Sequence, residues 1–253
     1  MATGRTTLQW SKVYFDGYDL SGYSRSYGPM SVAMAEADAS TFGDGIKSYL
    51  GDVATVNIGT LNTVLDTTTG ASYDRINGSG YRVAMFPIGI QAAPAQGDPV
   101  FVCELTQTDA TTEVSSGSVL TISAKFAGWS NTAASTNYAN PWGRLLHAKS
   151  AETAVNSAIG IDDTGASSAT GGYMMYQLFS SNGTVTLKTQ DAATNTNPSF
   201  ADLVTSGSLN ASVTPAAGIV VLSKTATVRR YLRWQLVFGT ATTATFALAF
   251  VRA

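Results

Sequence analysis

Apolar and polar residues alternate along much of this chain, a pattern typical of β-strands with one buried face. In Ser118–Phe126, Leu120, Ile122, Ala124 and Phe126 fall on one side of an extended chain. Comparable runs, bounded by Gly, Pro, Asp or Asn, predict further strands. They are Leu8–Phe15, Tyr81–Gly89, Val100–Thr106, Tyr173–Phe179, Val185–Gln190, Gly218–Leu222, Tyr231–Phe238 and Thr245–Val251.

The clearest turn signal is the dipeptide Asp16-Gly17, because both residues tolerate the positive φ of a two-residue hairpin turn. Asp19 is expected to cap the bend that follows. Both acids belong to VYFDGYDLSGYSRSYG, whose four tyrosines are separated by four, five and four positions. These spacings do not keep the two-residue period of a strand, so the tyrosines cannot all line one face. The segment is therefore predicted to be a hairpin and turn rather than a sugar-binding platform.

One segment has the periodicity of a helix instead. Within residues 33–50, Phe42, Ile46, Tyr49 and Leu50 recur at the spacing of one helical face. Two glycines within the same segment each cost roughly 1 kcal/mol of helix propensity. The pattern therefore predicts one short helix held by packing.

The character of the chain changes between residues 140 and 172, where an apolar patch gives way to Ser, Ala, Gly and Asp. This change predicts two β-rich units, at residues 1–155 and 173–253, joined by a linker at 156–172. The second unit has several short strands separated by turn residues, which favours a β-sandwich of jelly-roll or Ig-like type.

Composition argues against a nucleic-acid-binding protein and against a membrane-anchored one. Only 13% of the 253 residues are charged and the formal net charge is -2. A dedicated nucleic-acid-binding protein would show a basic stripe, which this chain lacks. No run reaches the 18 apolar residues of a membrane helix, and residues 1–10 lack the apolar stretch of a secretory signal, so no membrane anchor is expected.

Sequence motifs give no catalytic or cofactor site. His147 is the sole histidine and Cys103 the sole cysteine, which nearly excludes a zinc site. A Ser/His/acid triad could use His147, but no G-x-S-x-G motif frames a serine, so a structural or interface histidine is favoured. Cys103 is predicted to be a buried strand residue. We therefore expect no enzyme activity, cofactor or metal.

Paired carboxylates leave a glycosidase open as an alternative, since that chemistry needs two acids across a cleft. The pairs are Asp16 with Asp19, Glu36 with Asp38, and Asp162 with Asp163. Asp16 and Asp19 have turn roles, and the third pair lies in the predicted linker, so structural roles are favoured for these acids.

The run VRRYLRWQLVF could form either a sandwich core or an aromatic platform for carbohydrate. In strand alternation one face carries Arg230, Leu232, Trp234, Leu236 and Phe238. We predict that this face is core, with Arg230 at its polar entry. The opposite face, which includes Arg233, is predicted to meet solvent or a partner.

Several phrases together resemble the major tail (tail tube) proteins of long-tailed bacteriophages (siphophages). The opening KVYFDGYDLSGYSRSYGP, followed by the acidic segment MAEADASTFGDGIKSYLGD, is similar to the start of these proteins. PWGRLLHAKSAETAVNSAIGIDDTGASSATGG resembles their connector. TVTLKTQDAATNTNPSFADL and ATVRRYLRWQLVFGTATTATFALAFVR resemble an appended outer sandwich. The resemblance covers most of the chain, with 67–128 matching only as generic β-sequence.

The resemblance implies a mainly β fold, with a sandwich or rolled-sheet tail-tube domain, one short helix and an outward-facing C-terminal β-sandwich. It implies a virion protein that assembles with itself as stacked, commonly hexameric, rings. Such a tube joins other tail proteins and carries genomic DNA during ejection without binding it specifically. The expected location is the phage tail, with assembly in the host cytoplasm.

Five residues are candidates for the subunit interface: Tyr18, Tyr23, Phe42, Ile46 and Tyr49. Two other functions remain open at this point. One is a capsid decoration or carbohydrate-binding adhesion protein of a phage virion. The other is a β-rich hydrolase that uses the paired acids.

Overall fold

A computed structural model of the chain describes residues 8–38, 49–77, 80–113, 119–128, 140–155, 157, 159–163 and 165–253. Its strands are β1 (Tyr14–Phe15), β2 (Tyr18–Asp19), β3 (Ser24–Asp38), β4 (Tyr49–Val64), β5 (Tyr81–Pro87), β6 (Pro99–Glu113), β7 (Thr121–Ala127), β8 (Trp142–Glu152), β9 (Ile161–Asp162), β10 (Gly172–Ser181), β11 (Thr184–Ala192), β12 (Ala201–Thr205), β13 (Leu209–Asn210), β14 (Ala216–Val221), β15 (Tyr231–Phe238) and β16 (Ala244–Arg252). The described helical elements are a 3-10 turn at Leu8–Trp10 and the helix α1 at Ser72–Ile76.

The larger antiparallel sheet follows the order β14-β10-β16-β8-β6-β5-β1-β2. The second half of β6 pairs instead with β7, which leads to β4 and then β3. The single strand β6 therefore belongs to both branches: residues 100–106 pair with β5 and residues 106–113 pair with β7.

This sheet rolls until its first strands meet its last ones. The buried Gln177 side chain on β10 accepts a hydrogen bond from the Gly17 N–H at 2.5 Å and donates one to the Val83 carbonyl at 2.9 Å. Gly17 has φ +82°, and a Cβ there would lie 2.6 Å from the Pro215 side chain. Glycine is required at this contact for both its conformation and its size. Inside the roll is an apolar core of Tyr14, Met85, Val100, Val102, Leu145, Tyr173, Met175, Ala247, Ala249 and Val251.

The smaller sheet packs on the outer side of the roll. Its order is β12-β11-β15-β9, with β13 paired to β11. The core between the two sheets includes Trp234, Leu236, Met174 and Phe246. A third core lies under β4 and β7, where α1 inserts the fully buried Ile76.

The prediction of a mainly β chain is confirmed. Most predicted strands occur with ends displaced by one to a few residues, and Tyr231–Phe238 matches β15 throughout. The prediction for Leu8–Phe15 is wrong in its first half, where the chain forms a 3-10 turn before β1. Alternation did not identify six strands that the structure contains: β3, β4, β8, β9, β12 and β13.

The helix predicted within residues 33–50 is wrong at its C-terminal end. Residues 33–38 belong to β3, and Tyr49 and Leu50 begin β4. Backbone pairing joins these two ends, Asp38 opposite Tyr49 and Ala37 opposite Leu50. The positions between them, with Phe42 and Ile46, lie outside the described residues. Cross-strand hydrogen bonding therefore overrides the helical spacing of the apolar side chains at Tyr49 and Leu50.

The division at residues 156–172 stays a prediction. Backbone hydrogen bonds cross it, because β8 pairs with β6 on one side and with β16 on the other. The predicted linker also contains β9, which pairs with β15. Among the described residues, no helix has the length and apolar character needed to cross a bilayer.

Candidate functional site

A two-stranded ribbon stands out as the candidate assembly surface. β3 pairs with β4 over its length, whereas β4 pairs with β7 only from Asn57 to Val64. The remaining part, residues 33–38 and 49–55, is called here the distal ribbon. Six residues of strand extend about 20 Å. Within the described chain, no third strand pairs with the distal ribbon.

The outer edge of β3 is likewise unpaired within the described chain. Such an edge presents backbone N–H and C=O groups that can pair with another chain. Pro29 lies in this strand and has no N–H, as suits an edge position. An isolated two-stranded ribbon is only marginally stable in water, so the distal ribbon gains most from added partners.

Of the predicted interface residues, Tyr18 and Tyr23 contact other parts of their own chain. The Arg75 guanidinium lies 4.2 Å from the centroid of the Tyr18 ring. A Cβ on Gly70 would lie 2.5 Å from that ring. Tyr23 packs against the core under β4 and β7. Tyr49 lies in the distal ribbon, and Phe42 and Ile46 lie outside the described residues. Their role at an interface stays a prediction.

The predicted hairpin turn is confirmed. Asp16 has φ 49° and Gly17 has φ 82°, and Phe15 pairs with Tyr18 across the turn. The Asp16 carboxylate accepts hydrogen bonds from the Val83 N–H at 2.9 Å and from Arg82 Nη1 at 3.0 Å. Both of its oxygens are therefore engaged in holding the hairpin against β5.

Asp19 also has a structural role. Its Oδ1 accepts a hydrogen bond from the Ser21 N–H at 3.0 Å, which confirms the predicted cap. Its Oδ2 accepts a hydrogen bond from Lys149 Nζ at 2.7 Å and so links β2 to β8. Burial alone would raise the pKa of Asp19, but the hydrogen bonds from Lys149 and Ser21 outweigh it and lower the pKa below its usual value.

Replacing Asp19 with Asn should produce a pH-dependent loss of stability. Because the folded pKa is lowered, the ionised carboxylate stabilises the fold above pH about 4, and this contribution is lost as the pH falls through the lower folded pKa. Asn keeps the oxygen that faces Ser21 but loses the charge that pairs with Lys149. The expected deficit is about 1 kcal/mol at neutral pH and shrinks toward pH 2. Urea unfolding across this range measures it.

Asp109→Asn is the matched control, because Asp109 pairs with Lys125 at 3.7 Å and both side chains are more than half exposed. Exposed pairs contribute little, so this variant should match the wild-type protein throughout. A deficit of Asp19→Asn that stays constant down to pH 2 would contradict the electrostatic origin.

His147 has a serine and a carboxylate beside it, but not in the arrangement of a catalytic triad. Glu152 Oε1 lies 3.0 Å and Ser150 Oγ lies 3.3 Å from the same nitrogen, Nε2. A triad needs the carboxylate on the nitrogen opposite the serine. Here Nδ1 faces the Phe246 carbonyl at 3.1 Å.

The His147 ring packs among aromatic side chains in the core between the two sheets. The ring stacks on Phe246 with centroids 4.0 Å apart and meets the edge of Trp234 at 4.7 Å. Burial lowers the pKa of His147, opposed by the hydrogen bonds to Glu152 and the Phe246 carbonyl. A structural role agrees with these contacts.

The two other candidate sites are also built into the fold. Cys103 is fully buried, as predicted, and burial raises the pKa of its thiol. Asp162 pairs with Arg230, and Asp163 pairs with Arg252. In the described part of the chain, no group of three His, Cys, Asp or Glu side chains is arranged to hold a metal.

The prediction for β15 is right on one face and wrong at one residue of the other. Leu232, Trp234 and Leu236 are buried between the sheets, which confirms the core prediction. Arg233, predicted to face solvent or a partner, is only 3% exposed. Its Nε donates to Gln190 Oε1 at 2.8 Å, and its guanidinium lies 4.2 Å from the Phe200 ring centroid.

Comparison with known proteins gives few similarities. No family model and no curated protein sequence matches the chain. Among solved structures, the chain is similar to Dit (gp 19.1) of phage SPP1, described as a paradigm of the hub adsorption apparatus in phages that infect Gram-positive bacteria. The identity is 12%, the alignment covers 95% of this chain and 98% of that one, and the TM-score is 0.33. At that TM-score the similarity assigns neither a fold nor a function.

Proposed function

We propose that this chain is a structural virion protein of a phage tail, which assembles with itself into stacked rings that form the tail tube. The observation that carries the proposal is the distal ribbon, whose edges are paired with no other strand among the residues that the structure describes. The phrase-level resemblance of the sequence to tail tube proteins supports the same function. The SPP1 protein is described as part of a phage adsorption apparatus, and the proposal does not depend on that similarity.

The edges of the ribbon suit repeated assembly. When β3 of one copy pairs with a strand of the next, the unpaired N–H and C=O groups gain partners without any change in the fold. A head-to-tail contact of this kind closes into a ring when its rotation fits and otherwise extends as a filament. Rings that place their ribbons side by side would enclose a channel lined by β-structure.

The charge of the chain suits a conduit for DNA. Protein–DNA affinity grows with each phosphate that Lys or Arg neutralises. This chain has 15 basic residues against 17 acidic ones. A channel built from such subunits would let DNA pass without holding it.

Val32→Lys should block assembly and leave the subunit folded. Val32 lies on the unpaired edge strand β3 with 39% of its surface exposed. Natural edge strands use lysine to prevent pairing with other chains. Wild-type protein is expected to form rings or tubes in negative-stain micrographs, and the variant to remain monomeric by light scattering.

Val213→Lys is the matched control. Val213 is 93% exposed and lies in the segment between β13 and β14, outside the ribbon strands β3 and β4. This variant should assemble as the wild-type protein does. Assembly by Val32→Lys, or wild-type protein that stays monomeric at high concentration and forms no tubes in virions, would count against the proposal.

The position of the protein in a virion separates the tail tube from its rivals. Immunogold labelling along the whole tail is expected for a tube subunit. Label confined to the tail tip would instead indicate a hub protein, and label on the head would indicate a capsid decoration protein.

A further inference from the structure

A cleft of about 340 Å³ lies beside the first residues of β6 and β8 and the end of β16. Its volume falls near the lower end of pockets that hold small ligands, roughly 300–1,000 Å³. None of its lining residues belongs to the distal ribbon. Of the candidate catalytic residues considered above, only Asp163 lines it. The lining includes Asn140, Trp142, Arg144, Asp163, Phe250 and Arg252.

Trp142 gives the cleft an exposed aromatic surface. The residue is 42% exposed, although large apolar side chains are usually more buried. Its indole meets the Phe101 ring edge-on, with centroids 5.1 Å apart and an interplanar angle of 75°. Its backbone N–H donates to Asn140 Oδ1 at 3.0 Å. The indole is therefore held in place from one side while part of its surface stays open.

Two of the three charges in the cleft neutralise each other. Arg252 and Asp163 form a buried ion pair, with Nη2 2.7 Å from Oδ1 and Nε 3.1 Å from Oδ2. Asp163 therefore presents no unpaired negative charge to a ligand.

Arg144 supplies the third charge. It is exposed, and its Nη1 donates to the Gly97 carbonyl at 3.3 Å. Across the part of the chain that the structure describes, no carboxylate forms an ion pair with it. The cleft thus combines an aromatic surface with one uncompensated guanidinium.

We propose that this cleft binds an acidic saccharide, a sugar that carries a carboxylate. The C–H groups of a pyranose ring pack against a flat aromatic surface such as that of Trp142. The guanidinium of Arg144 can donate two parallel hydrogen bonds to a carboxylate. The amide of Asn140 donates one hydrogen bond to the Arg252 carbonyl at 3.2 Å and accepts one from the Trp142 N–H. It keeps one N–H and one lone pair that can bond to sugar hydroxyls.

A single-stranded nucleic acid fits the cleft less well, although its bases also stack on aromatic rings. Such ligands need a basic groove that follows several phosphates. Here the lining has one uncompensated cation, and the chain has a net charge of -2. The saccharide site adds a binding function to the proposed structural role and does not depend on assembly.

Calorimetric titration of the purified full-length protein tests the proposal, with two acidic probes and their neutral counterparts. Digalacturonate is compared with galactobiose, and sialyllactose with lactose. At least one acidic probe should bind about tenfold more tightly than its neutral counterpart. Arg144→Gln should remove this preference. Trp142→Ala should lower the affinity for the acidic probe and for its neutral counterpart about tenfold each.

Arg25→Gln and Tyr81→Ala are the matched controls, because both residues are exposed and lie outside the cleft. They should bind as the wild-type protein does. Circular dichroism checks that each variant is folded, and Arg144→Gln keeps the test decisive if Trp142→Ala unfolds.

Three results would overturn the proposal. The first is that neither acidic probe binds at millimolar concentration. The second is that Arg144→Gln keeps the preference, or that the controls lose binding equally. The third is that a single-stranded oligonucleotide binds in a Trp142-dependent way while all saccharides fail.

Discussion

Replacing Asp163 with Asn is expected to lower the free energy of unfolding by about 3–5 kcal/mol, because it leaves a buried arginine without its countercharge. The side chains of Asp163 and Arg252 are only 4% and 8% exposed. Arg252 uses all five of its N–H donors: two on Asp163 and three on Ser168 Oγ and the carbonyls of Val228 and Arg229. The guanidinium therefore has no alternative carboxylate and little access to water. Urea unfolding followed by circular dichroism measures the loss.

The neighbouring residue provides the control. Asp162 pairs with Arg230, and both side chains are about one-third or more exposed. Asp162→Asn should leave the urea midpoint almost unchanged, because water replaces an exposed partner readily. Equal losses of unfolding free energy in the two variants would show that the buried Asp163–Arg252 pair stabilises the fold no more than the exposed Asp162–Arg230 pair.

A double variant separates the effect of the buried charges from the effect of side-chain packing. Asp163→Leu combined with Arg252→Met removes both charges and should cost less than the sum of the single changes. Additive losses would contradict the ion pair as the cause.

Trp234→Ala is expected to lower the free energy of unfolding by about 3–5 kcal/mol, the usual range for removing a large aromatic side chain from a core. Trp234 is 6% exposed in the core between the two sheets. Its ring meets those of Phe246 at 5.6 Å and His147 at 4.7 Å, so the variant also leaves the His147 stack open on one side. Thermal unfolding and urea titration measure the loss.

The same variant tests the earlier alternative of a carbohydrate platform on β15. Trp142→Ala is the comparison, because Trp142 is 42% exposed and its loss should destabilise the protein much less. If Trp234→Ala stays as stable as the wild-type protein and loses saccharide binding, the core assignment is wrong. If Trp234→Ala unfolds more easily, Trp234 is a core residue. Trp142 in the cleft then remains the better candidate for a saccharide contact.

Local sequence was a good guide wherever a strand has one buried face and a tight turn at its end. Asp16-Gly17 predicted its hairpin because few dipeptides allow two positive φ values in succession. The alternation in β15 placed Trp234 in the core because side chains in a strand point alternately to the two faces. The same reasoning failed at Arg233, since the guanidinium there is covered by the Phe200 ring and donates to the Ser157 carbonyl.

The long ribbon was not predicted because its evidence is not local. In β3, glycine, proline and small residues interrupt alternation, and the apolar spacing near Tyr49 fits a helix equally well. Only the pairing of Asp38 with Tyr49 makes both segments strands. The candidate assembly surface therefore depended on a cross-strand register that no single segment specifies.

The sequence by itself determined a β-rich chain with a hairpin at Asp16-Gly17, a buried cysteine, an apolar face on β15 and no recognisable catalytic or cofactor motif. These features follow from residue type and two-residue periodicity, which act over a few neighbouring positions. The tertiary structure decided how the sheet rolls, which of two adjacent aspartates is buried, and that Trp142 is partly exposed. Each of these depends on which distant strands meet, and burial and charge pairing are set only when they do.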